Sequence, residues 1–563
     1  MGTKKKTSSD ALNIIPLGGL GEIGMNMMAY EYAGKILVVD CGLTFPASDT
    51  PGVDLVIPDI SYLVENREKL VGLVFTHGHE DHIGASPYIW PELQVPIYGT
   101  PMTLGLLEGK FREHRLLDKA EMFRVDFRQK IQLGPFLVQF MRVTHSIVDA
   151  AALAITTPLG TVIHTGDFKF DHTPVGGRAT DLYSLAKHGE RGVLALLSDS
   201  TNVTKPGSTT TEQVIAPHFD QLFNQQDGLI VVATFSSNIQ RIQQVFDAAL
   251  KVGRKVVVNG RSMMNTVQVA RSLGYLKIAD ENLVDVKSFK KYQRSKLVLL
   301  STGSQGEPNA SLVRIANGDH RDIRITDGDR VIFSSKFIPG NERAIWTLIN
   351  DLFKQGADVV HVKNLPEIHV SGHAPDEDLK LMMALTRPKF FIPIHGEMHH
   401  LYRHRDLARS MGVPSEKSLV MENGNVVRLD GRSVEVVDQV PTGRVFVDGS
   451  QVGDVGEVVL RDRRIISEDG MVMVMIITDE SASKPLREPV IVTRGVVYED
   501  ESQELLLDAR KAVEKAFEVG PKGMDFRGDE EVGLDALALR ALRRFFKKRL
   551  GRRPLVLPII VPM

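Results

Sequence analysis

Short runs of apolar residues, each ended by a turn or by polar residues, recur along the chain. The run from Leu70 to Phe75 is apolar throughout, which is typical of a strand buried on both faces. Apolar runs of strand-forming residues also precede His145, Asp167 and His395. The pattern predicts a fold rich in buried strands, with polar side chains placed where the strands end.

The segment GLGEIG at residues 19–24 fits the glycine pattern of a dinucleotide-binding loop. Asp40 follows at about the interval where that fold places its ribose-binding acid. Such a fold needs a helix directly after the glycines. The run 36–39 instead favours a strand, and Ala33-Gly34 favours a tight turn. A hairpin is therefore predicted, and the dinucleotide interpretation is set aside.

The middle of the chain repeats the order strand, loop and helix. Segments such as GLIVVATFSSNIQRIQQVFDAALKVGRKVVVNG and DRVIFSSKFIPGNERAIWTLINDLFKQGADVVHV are typical of an α/β unit inserted into a first domain. The segment EIHVSGHAPDEDLKLMMALTRPKFFIPIHGE then returns to the first domain. We predict a first domain in two parts, at residues 1–213 and 366–450, with an inserted domain at 214–365. A linker at 451–464 and a C-terminal domain at 465–563 follow.

The tail of the chain has its own pattern. MVMVMIITDE and PVIVTRGVVYED favour strands, and SQELLLDARKAVEKAFEV favours a helix. A basic helix follows in GLDALALRALRRFFKKRLGRRP, and its run of charges fits a solvated face, an RNA contact or a subunit contact. The basic residues are Arg540, Arg543, Arg544, Lys547, Lys548, Arg549, Arg552 and Arg553.

Composition narrows the class of protein. The 563 residues are 43% hydrophobic and 25% charged, as in an ordinary globular protein. The net charge of −2 gives no global attraction for nucleic acid, so any polyanion site must be a local patch. The single cysteine, Cys41, excludes an internal disulfide and is predicted to be a buried apolar residue. The start MGTKKKTSSD is not typical of a signal peptide, and the apolar runs are too short for a membrane helix. A cytoplasmic protein is expected.

The segment THGHEDH after the run 70–75 carries the clearest chemistry. It places His77, His79, Asp81 and His82 at a strand end. Neutral imidazole and carboxylate groups are ligands for zinc, manganese and iron. Gly78 allows the backbone to turn, so that neighbouring side chains converge on one point. A polar surface loop would not need this combination, and a metal site is predicted.

Four ligands cannot complete two metal sites, so further ligands are expected from other strand ends. His145 follows FMRVT, Asp167 follows GTVIHTG, and His395 follows PKFFIPI. Each lies beside a turn after an apolar strand. His164 lies inside its strand and is interpreted as a structural residue.

These residues resemble the metallo-β-lactamase superfamily, with T-H-G-H-x-D-H followed by a histidine and then by an aspartate in T-G-D. The resemblance implies an αββα sandwich. It also implies that one metal is held by His77, His79 and His145, that the other is held by Asp81, His82 and His395, and that Asp167 bridges them. In the same resemblance the glycine segment is a turn beside the metals, and Asp40 orients the metal-binding loop.

The segments SDSTN (198–202), HVSGHA (369–374) and PIHGE (393–397) resemble the β-CASP nucleases, and the match over almost the whole chain is closest to the ribonuclease J family. This implies a metallo-β-lactamase sandwich interrupted by an inserted β-CASP α/β domain, with a small C-terminal α/β domain tied to oligomerisation. Asp199, His373 and His395 match the family's marker positions, and the catalytic residues implied are His373, Asp81 and Asp199.

A phosphodiesterase agrees with the chemistry of these residues. Two cations can activate water and stabilise a pentacovalent phosphate, and Asp81 and Asp167 offset their charge. His373 is suited to protonate the leaving 3′-oxygen near neutral pH. Hydrogen bonds to phosphate are expected from the HVSGH segment, which contributes His369, Val370, Ser371, Gly372 and His373.

The inserted domain offers further candidates for phosphate binding. Ser237 and Asn238, with Ser236, are residue types that begin helices, and the amides of a helix N-terminus face anions. The same residues are equally compatible with helix capping alone. Arg261 and Arg241 would add positive charge, and Ser334 and Lys336 are weaker candidates. The resemblance implies a 5′-monophosphate pocket in this cleft.

The chemistry of the residues fits a two-metal phosphodiesterase, and the resemblance implies that it is a ribonuclease. It would degrade 5′-monophosphorylated RNA from 5′ to 3′, with additional endonuclease activity, in mRNA decay and rRNA processing. Two divalent ions per subunit are expected, zinc first and manganese or magnesium as alternatives. Expected partners are RNA, a second copy in a homodimer or homotetramer, and other RNA-degradation proteins, but no membrane. The alternatives are a β-CASP nuclease acting on DNA and an inactive metal-bearing RNA-binding scaffold.

Overall fold

A computed structural model describes residues 11–46, 50–224, 226–338, 340–449, 451–453, 456–480, 484–497, 502–520 and 532–563. The segment MGTKKKTSSD, interpreted above as unlike a signal peptide, lies outside these residues. The chain divides into two compact units. The first comprises Met1–Thr44 and Ile57–Arg444, and the second comprises Phe45–Val56 and Val445–Met563.

The part of the chain before the inserted sheet is dominated by strands. The strands are β1 (Leu12–Gly18), β2 (Met27–Tyr32), β3 (Lys35–Val39), β4 (Leu55–Pro58), β5 (Leu70–Val74), β6 (Ile97–Gly99), β7 (Met122–Arg124), β8 (Lys130–Leu133), β9 (Phe136–Arg142), β10 (Ala151–Thr157), β11 (Gly160–His164) and β12 (Val193–Asp199). The helices are α1 (Ser61–Glu65), α2 (Glu80–Ile83), α3 (Ser86–Leu93), α4 (Pro101–Glu113) and α5 (Leu182–Arg191).

The inserted part alternates helices and strands. In order they are α6 (Ile215–Asn224), β13 (Ile230–Ala233), α7 (Ile239–Lys251), β14 (Lys255–Asn259), α8 (Arg261–Ser272), β15 (Leu283–Val284), β16 (Leu297–Ser301), α9 (Ser311–Ala316), β17 (Arg330–Phe333), α10 (Glu342–Lys354) and β18 (Asp358–Val360). The chain then returns to the first fold through α11 (Asp376–Thr386), β19 (Pro388–Ile394), α12 (Met398–Ser410), β20 (Asn425–Leu429) and β21 (Val434–Gln439).

The tail contains β22 (Arg444–Asp448), β23 (Gln451–Val452), α13 (Glu457–Asp469), β24 (Met471–Thr478), β25 (Val490–Arg494), α14 (Ser502–Val519), α15 (Leu534–Leu550) and β26 (Leu555–Pro562). Short 3₁₀ helices lie at Arg67–Lys69, Leu117–Lys119, Glu212–Val214, Asp280–Asn282, Val286–Lys291, Arg294–Lys296, Pro366–Ile368 and Ser415–Lys417.

The glycine segment connects two antiparallel strands. β1 pairs with β2 and β2 with β3, and Tyr32 lies opposite Lys35 across a two-residue turn. Both turn residues have positive φ, 49° at Ala33 and 73° at Gly34, as a two-residue hairpin turn requires. The predicted hairpin is confirmed. A dinucleotide loop would have continued from the glycines into a helix.

Two sheets form the sandwich of the first unit. Their strand orders are β21-β20-β1-β2-β3-β5-β6-β7 and β19-β12-β11-β10-β9-β8. Leu37 and Val39 of one sheet belong to the same buried core as Phe140 and Leu153 of the other. Helix α4 packs on β6 and β7, and α11 and α12 pack on β12 and β19. This is the predicted αββα arrangement.

The inserted sheet has the order β15-β14-β16-β13-β17-β18, and all its neighbouring strands are parallel. Its strands alternate with helices that cover a separate buried core. The strand-loop-helix repeat predicted this architecture, because parallel strands need crossover connections that helices provide.

The tail forms a sheet in the order β25-β24-β26, with β24 antiparallel to β25 and parallel to β26. Val472, Val474 and Ile476 of β24 share a core with Ala538 and Leu542 of α15. The segment 451–464, predicted as a linker, includes the start of α13. Val458 and Val459 of this helix are exposed, and Leu460 is buried. Every helix among the described residues is too short or too polar to cross a bilayer.

Candidate metal centre

Three histidines and one aspartate form a buried group at the strand ends of the sandwich. His77 follows β5, and its Nε2 lies 3.1 Å from Nδ1 of His79. The Nε2 atom of His145, which follows β9, lies 3.1 Å from the same Nδ1 atom. Asp167 approaches His77 and His145 to 3.6 Å through Oδ2. One ligand atom from each of the four residues lies within 4.8 Å of the others.

A second group of four shares Asp167 and adds Asp81, His82 and His395. The Nε2 atom of His82 lies 3.2 Å from Oδ1 of Asp167. The Nε2 atom of His395, which follows β19, lies 3.3 Å from Oδ2 of Asp81. All seven residues predicted as metal ligands are thus brought together, with Asp167 common to both groups.

The donor atoms of these groups fit divalent cations. The Nε2 atoms of His82 and His395 lie 3.2 and 3.5 Å from the buried Oδ1 atom of Asp167, but no described residue donates a well-aligned hydrogen bond to that oxygen. Burial lowers the pKa of the His79 imidazole to about 4, and burial lowers the pKa of His77 and His145 well below the ordinary value. Neutral imidazole is the form that binds metals. The first group is therefore already in its metal-binding protonation state.

The second group has a different electrostatic balance. Burial disfavours the charged form of His82, but Asp167, Asp81 and Asp40 outweigh it and raise its pKa well above the ordinary value. Burial likewise opposes the charge of His395, and Asp167 leads the groups that raise its pKa. The surrounding carboxylates therefore favour positive charge at this position, as a cation site requires.

Asp40 supports the loop from behind the ligands. Its Oδ2 atom lies 2.8 Å from Nδ1 of His82, and its Oδ1 atom accepts a hydrogen bond of 2.8 Å from the backbone N–H of Thr76. The Thr76 hydroxyl also donates to Asp40. Asp40 has φ 62°, which the short polar side chains of aspartate and asparagine tolerate better than most. The contact leaves Nε2 of His82 facing Asp167, a geometry in which Asp40 can orient the loop.

His373 lies beside the second group without joining the predicted ligand set. Its Nδ1 atom is 2.8 Å from Oδ2 of Asp199, the last residue of β12. Its ring stacks on that of His395 at 5.5 Å between centroids. Asp167, Asp199, His373 and His395 also form a group with converging ligand atoms. The structure therefore places His373 where it can act either as a proton donor or as a ligand.

The segment 368–373 is tied to the metal residues through its backbone. The Gly372 carbonyl lies 2.7 Å from Nδ1 of His145. A Cβ atom at Gly372 would lie 2.7 Å from Cε1 of His145, so a side chain here would displace the His145 ring. Asn202 donates to the Ser371 hydroxyl at 2.7 Å and to the His373 carbonyl at 2.9 Å. Val370 is buried in the same segment.

The phosphate-binding candidates of the inserted domain are either residues at the start of a helix or exposed basic residues. The Asn238 side chain accepts a hydrogen bond from the backbone of Arg241 and caps α7, so its oxygen serves the helix, and Ser237 precedes it. Arg261 is exposed at the first residue of α8 and forms no ion pair with any described residue. Lys336 is exposed. The pKa of Lys205 is lowered to about 8, first by burial, then by a hydrogen bond with Lys336 and by the charge of Lys336.

The expectation that Arg241 and Ser334 offer charge and hydrogen bonds to phosphate is not met. Arg241 is fully buried, and its guanidinium binds Glu212 at 2.7 Å. Ser334 is also fully buried and donates to the Ile368 carbonyl at 2.7 Å. The two terminal nitrogens of the Arg241 guanidinium and the Ser334 hydroxyl are bonded inside the protein, because a buried charge needs partners.

Comparisons with known proteins agree along the whole chain. Family models match for the "Metallo-beta-lactamase superfamily" at residues 21–186, the "Ribonuclease J, beta-CASP domain" at 227–352, the "Zn-dependent metallo-hydrolase RNA specificity domain" at 361–418 and the "Ribonuclease J C-terminal domain" at 458–563. Ribonuclease J from Synechocystis is 43% identical over 98% of this chain and 87% of that protein. Ribonuclease J 1 from Streptococcus pyogenes is 40% identical over 98% of this chain and 97% of that protein.

The chain belongs to the ribonuclease J family. It is therefore a β-CASP ribonuclease and a metal-dependent hydrolase. Ribonuclease J from Thermus thermophilus is 42% identical over 98% of this chain and 95% of that protein. A solved protein of unknown function from Enterococcus faecalis shares the fold, with a TM-score of 0.51 and 18% identity over 74% of this chain and 100% of that chain.

Two residues beside the metal groups of this ribonuclease J, Thr201 and Asn202, were not predicted from the sequence. Thr201 places its hydroxyl 2.7 Å from Nδ1 of His395 and 2.7 Å from Oδ1 of Asp199. Asn202 holds the segment 368–373. Both lie in SDSTN, directly after the β12 strand end, and that position was the available signal.

His164, interpreted as structural, is buried with its Nδ1 atom 2.9 Å from the Tyr30 hydroxyl.

Proposed function

We propose that the protein degrades RNA from 5′ to 3′, starting at a 5′-monophosphorylated end, and that it also cleaves internally. The observation that carries the proposal is the position of the segment 368–373. Its Gly372 carbonyl contacts the metal ligand His145, and its His373 stacks on His395. A phosphodiester bound along this segment would therefore lie beside both metal groups.

The proposed ligand assignment gives each of two cations three protein ligands and a shared carboxylate. His77, His79 and His145 would hold one ion, Asp81, His82 and His395 the other, and Asp167 would bridge. Zinc suits this mixture of imidazole and carboxylate, and manganese and magnesium are the alternatives. When bound, two such ions activate water and stabilise the negative charge that builds up on the phosphate.

His373 is proposed as the general acid. Its Nδ1–H donates to Asp199, which leaves Nε2 to deliver a proton to the 3′-oxygen as the P–O bond breaks. The contact with the Asp199 carboxylate fixes the orientation of the imidazole ring for that transfer. Ser371, Gly372 and the amides beside them are proposed to bind phosphate oxygens, with Ser237, Asn238, Arg261, His369 and Val370 lining the path of the RNA.

The proposed domain limits follow from the chemistry and from the chain path. The metallo-β-lactamase domain would comprise 1–213 and 366–450, the β-CASP domain 214–365, the linker 451–464 and the C-terminal domain 465–563. Because the substrate is proposed to be cellular RNA, in mRNA decay and rRNA processing, the protein is assigned to the cytoplasm. Association with other RNA-degradation proteins stays a prediction.

A homodimer or homotetramer is proposed to form through the C-terminal sheet. The face of β24 turned away from α15 carries Met475, which lies between Val490 of β25 and Ile559 of β26. These three side chains are 38%, 46% and 37% exposed. An apolar sheet face of this kind is typical of a subunit contact.

One experiment tests the proposed activity. Metal-loaded protein is incubated with RNA of a single sequence that carries a 5′-monophosphate, a 5′-triphosphate or a 5′-hydroxyl, and with DNA of the matched sequence. We expect mononucleotides from the 5′-monophosphate RNA and internal fragments from the other RNAs. The Asp167→Ala variant, purified identically, controls for contaminating nucleases. Cleavage of DNA in preference to RNA supports the DNA nuclease instead, and RNA binding without cleavage supports the inactive scaffold.

A further inference from the structure

Glu212 lies at the centre of a buried charge cluster in the first unit. It is fully buried in the 3₁₀ helix Glu212–Val214. Its Oε1 atom accepts from Nζ of Lys169 at 3.1 Å, and its Oε2 atom accepts from Arg241 at 2.7 Å. We name these three residues the Glu212 cluster. One carboxylate between two buried cations is costly to assemble unless each cation has further partners.

The Lys169 side of the cluster reaches the metal residues. Lys169 follows the ligand Asp167 by two residues, and its backbone N–H donates to the Thr144 carbonyl at 2.8 Å, next to the ligand His145. Its Nζ atom donates a second hydrogen bond, 3.1 Å long, to the Ser371 carbonyl. Lys169 therefore connects the metal loops to the segment 368–373.

The Arg241 side of the cluster reaches the inserted domain. Arg241 belongs to α7, and its guanidinium donates to the Ser334 carbonyl at 2.9 Å, just beyond β17. It also donates to the Ile368 carbonyl at 3.1 Å. Two carbonyls of the segment 368–373 are thus drawn toward the same cluster, one by each cation.

The direction of these carbonyls sets the direction of the neighbouring amides. In a planar trans peptide the N–H points opposite to the C=O of the same unit. The N–H groups of His369 and Gly372 therefore point away from the Glu212 cluster. Neither N–H donates a hydrogen bond to any residue that the structure describes. Backbone amides without a protein partner are suited to phosphate oxygens.

We propose that Glu212 is a positioning residue, which fixes Lys169 and Arg241 so that the N–H groups of His369 and Gly372 are presented to a substrate phosphate. The inference rests on the proposed function, because it assumes that the segment 368–373 binds phosphate. It adds that the segment 368–373 is held by the Glu212 cluster, whose residues belong neither to the proposed ligand set nor to the marker positions. The cluster joins the metal loops to the inserted domain.

The test compares binding of adenosine 5′-monophosphate and adenosine by calorimetry, using the full metal-loaded chain. We expect Glu212→Gln to weaken the monophosphate at least about tenfold, the loss of roughly two hydrogen bonds, and to leave adenosine unchanged. The KM for 5′-monophosphorylated RNA should rise by a similar factor, with a smaller change in kcat. Metal content, measured on the same samples, should remain at the wild-type value.

A second variant covers the case in which Glu212→Gln fails to fold. In Lys169→Met/Glu212→Leu/Arg241→Met the cluster is replaced by apolar side chains, a change that proteins often tolerate. This variant also loses the donors to the Ile368 and Ser371 carbonyls, so the same loss of monophosphate affinity is expected. Asp220→Asn removes an exposed ion pair with Lys251 in the inserted domain, and should change neither affinity. Wild-type monophosphate affinity in either folded cluster variant would overturn the inference.

The experiment distinguishes this inference from the proposed function. If the wild-type protein binds adenosine 5′-monophosphate no better than adenosine, the proposed phosphate site itself is wrong. If the wild-type protein prefers the monophosphate and Glu212→Gln shares that preference, the site stands and Glu212 has no positioning role. A loss of metal in Glu212→Gln would also contradict the proposal, since Glu212 would then act through Asp167.

Discussion

The Nδ1 atom of His373 lies 2.8 Å from Oδ2 of Asp199, while Oδ1 of the same carboxylate accepts a hydrogen bond from the Thr201 hydroxyl. That hydroxyl is also 2.7 Å from Nδ1 of His395. One buried carboxylate thus orients the proposed general acid and, through Thr201, a proposed metal ligand. Because the proposed roles of the two histidines differ, a change at His373 should affect proton transfer and a change at His395 should affect metal binding.

We predict that His373→Ala lowers the cleavage rate by roughly 10²–10⁴-fold, the usual contribution of a positioned general acid. Both metals should remain, because the proposed ligand set is complete without His373. RNA binding should weaken only modestly, since phosphate contacts are spread along the strand. Single-turnover cleavage, elemental analysis and RNA titration measure the three effects.

Two comparison variants sharpen this prediction. Ser371→Ala should cost about one hydrogen bond, roughly 1 kcal/mol, and His399→Ala changes an exposed histidine of α12 and should cost nothing. If His373→Ala releases a metal, His373 is a ligand and the proton comes from another group. An unchanged rate would reduce His373 to a loop residue.

A second prediction concerns Asp40. Asp40→Asn keeps a residue that tolerates the left-handed backbone, but it weakens the contact that orients His82. Affinity for one of the two proposed metals should fall by about 10–100-fold, the usual effect of losing such a supporting contact. Metal titration against a competing chelator measures it. Equal affinities in variant and wild type would show that Thr76 and the backbone alone orient the loop.

Local pattern was enough to predict that the seven proposed ligands converge, because they follow apolar strands and the strand ends of one sandwich meet at one edge. The strand-loop-helix repeat was enough for the inserted sheet. The partners of Arg241 could not be predicted, because Glu212 lies 29 residues away and its burial is decided by tertiary packing. The contacts of Asn202 could not be predicted for the same reason, because its partners Ser371 and His373 come from a distant segment of the chain.

A third prediction concerns the C-terminal sheet. Met475→Glu and Val492→Glu place charges on the apolar face of β24 and β25, so a subunit contact there should be lost. Light scattering should then give the monomer mass of 62.4 kDa, while metal content stays unchanged. Val458→Glu, at an exposed apolar residue of α13, is the matched control. A variant with the wild-type mass would place the contact elsewhere.

The last prediction concerns the acid stability of the Glu212 cluster. Burial would raise the pKa of Glu212, but Lys169 and Arg241 outweigh it and lower that pKa from 4.5 to about 2. Since the folded-state pKa lies below the unfolded value, the ionised carboxylate stabilises the fold above about pH 4.5 and loses this effect as the pH falls toward 2.

Glu212→Gln should therefore reduce the free energy of unfolding at neutral pH by about 3–5 kcal/mol, as expected when one partner of a buried ion pair is removed. The difference between wild type and variant should narrow between pH 4.5 and 2, which urea unfolding at several pH values can follow. Asp220→Asn, at an exposed ion pair, should show a small difference throughout. A gap between wild type and Glu212→Gln that stays constant down to pH 2 would show that the carboxylate contributes by shape and hydrogen bonding, and not by its charge.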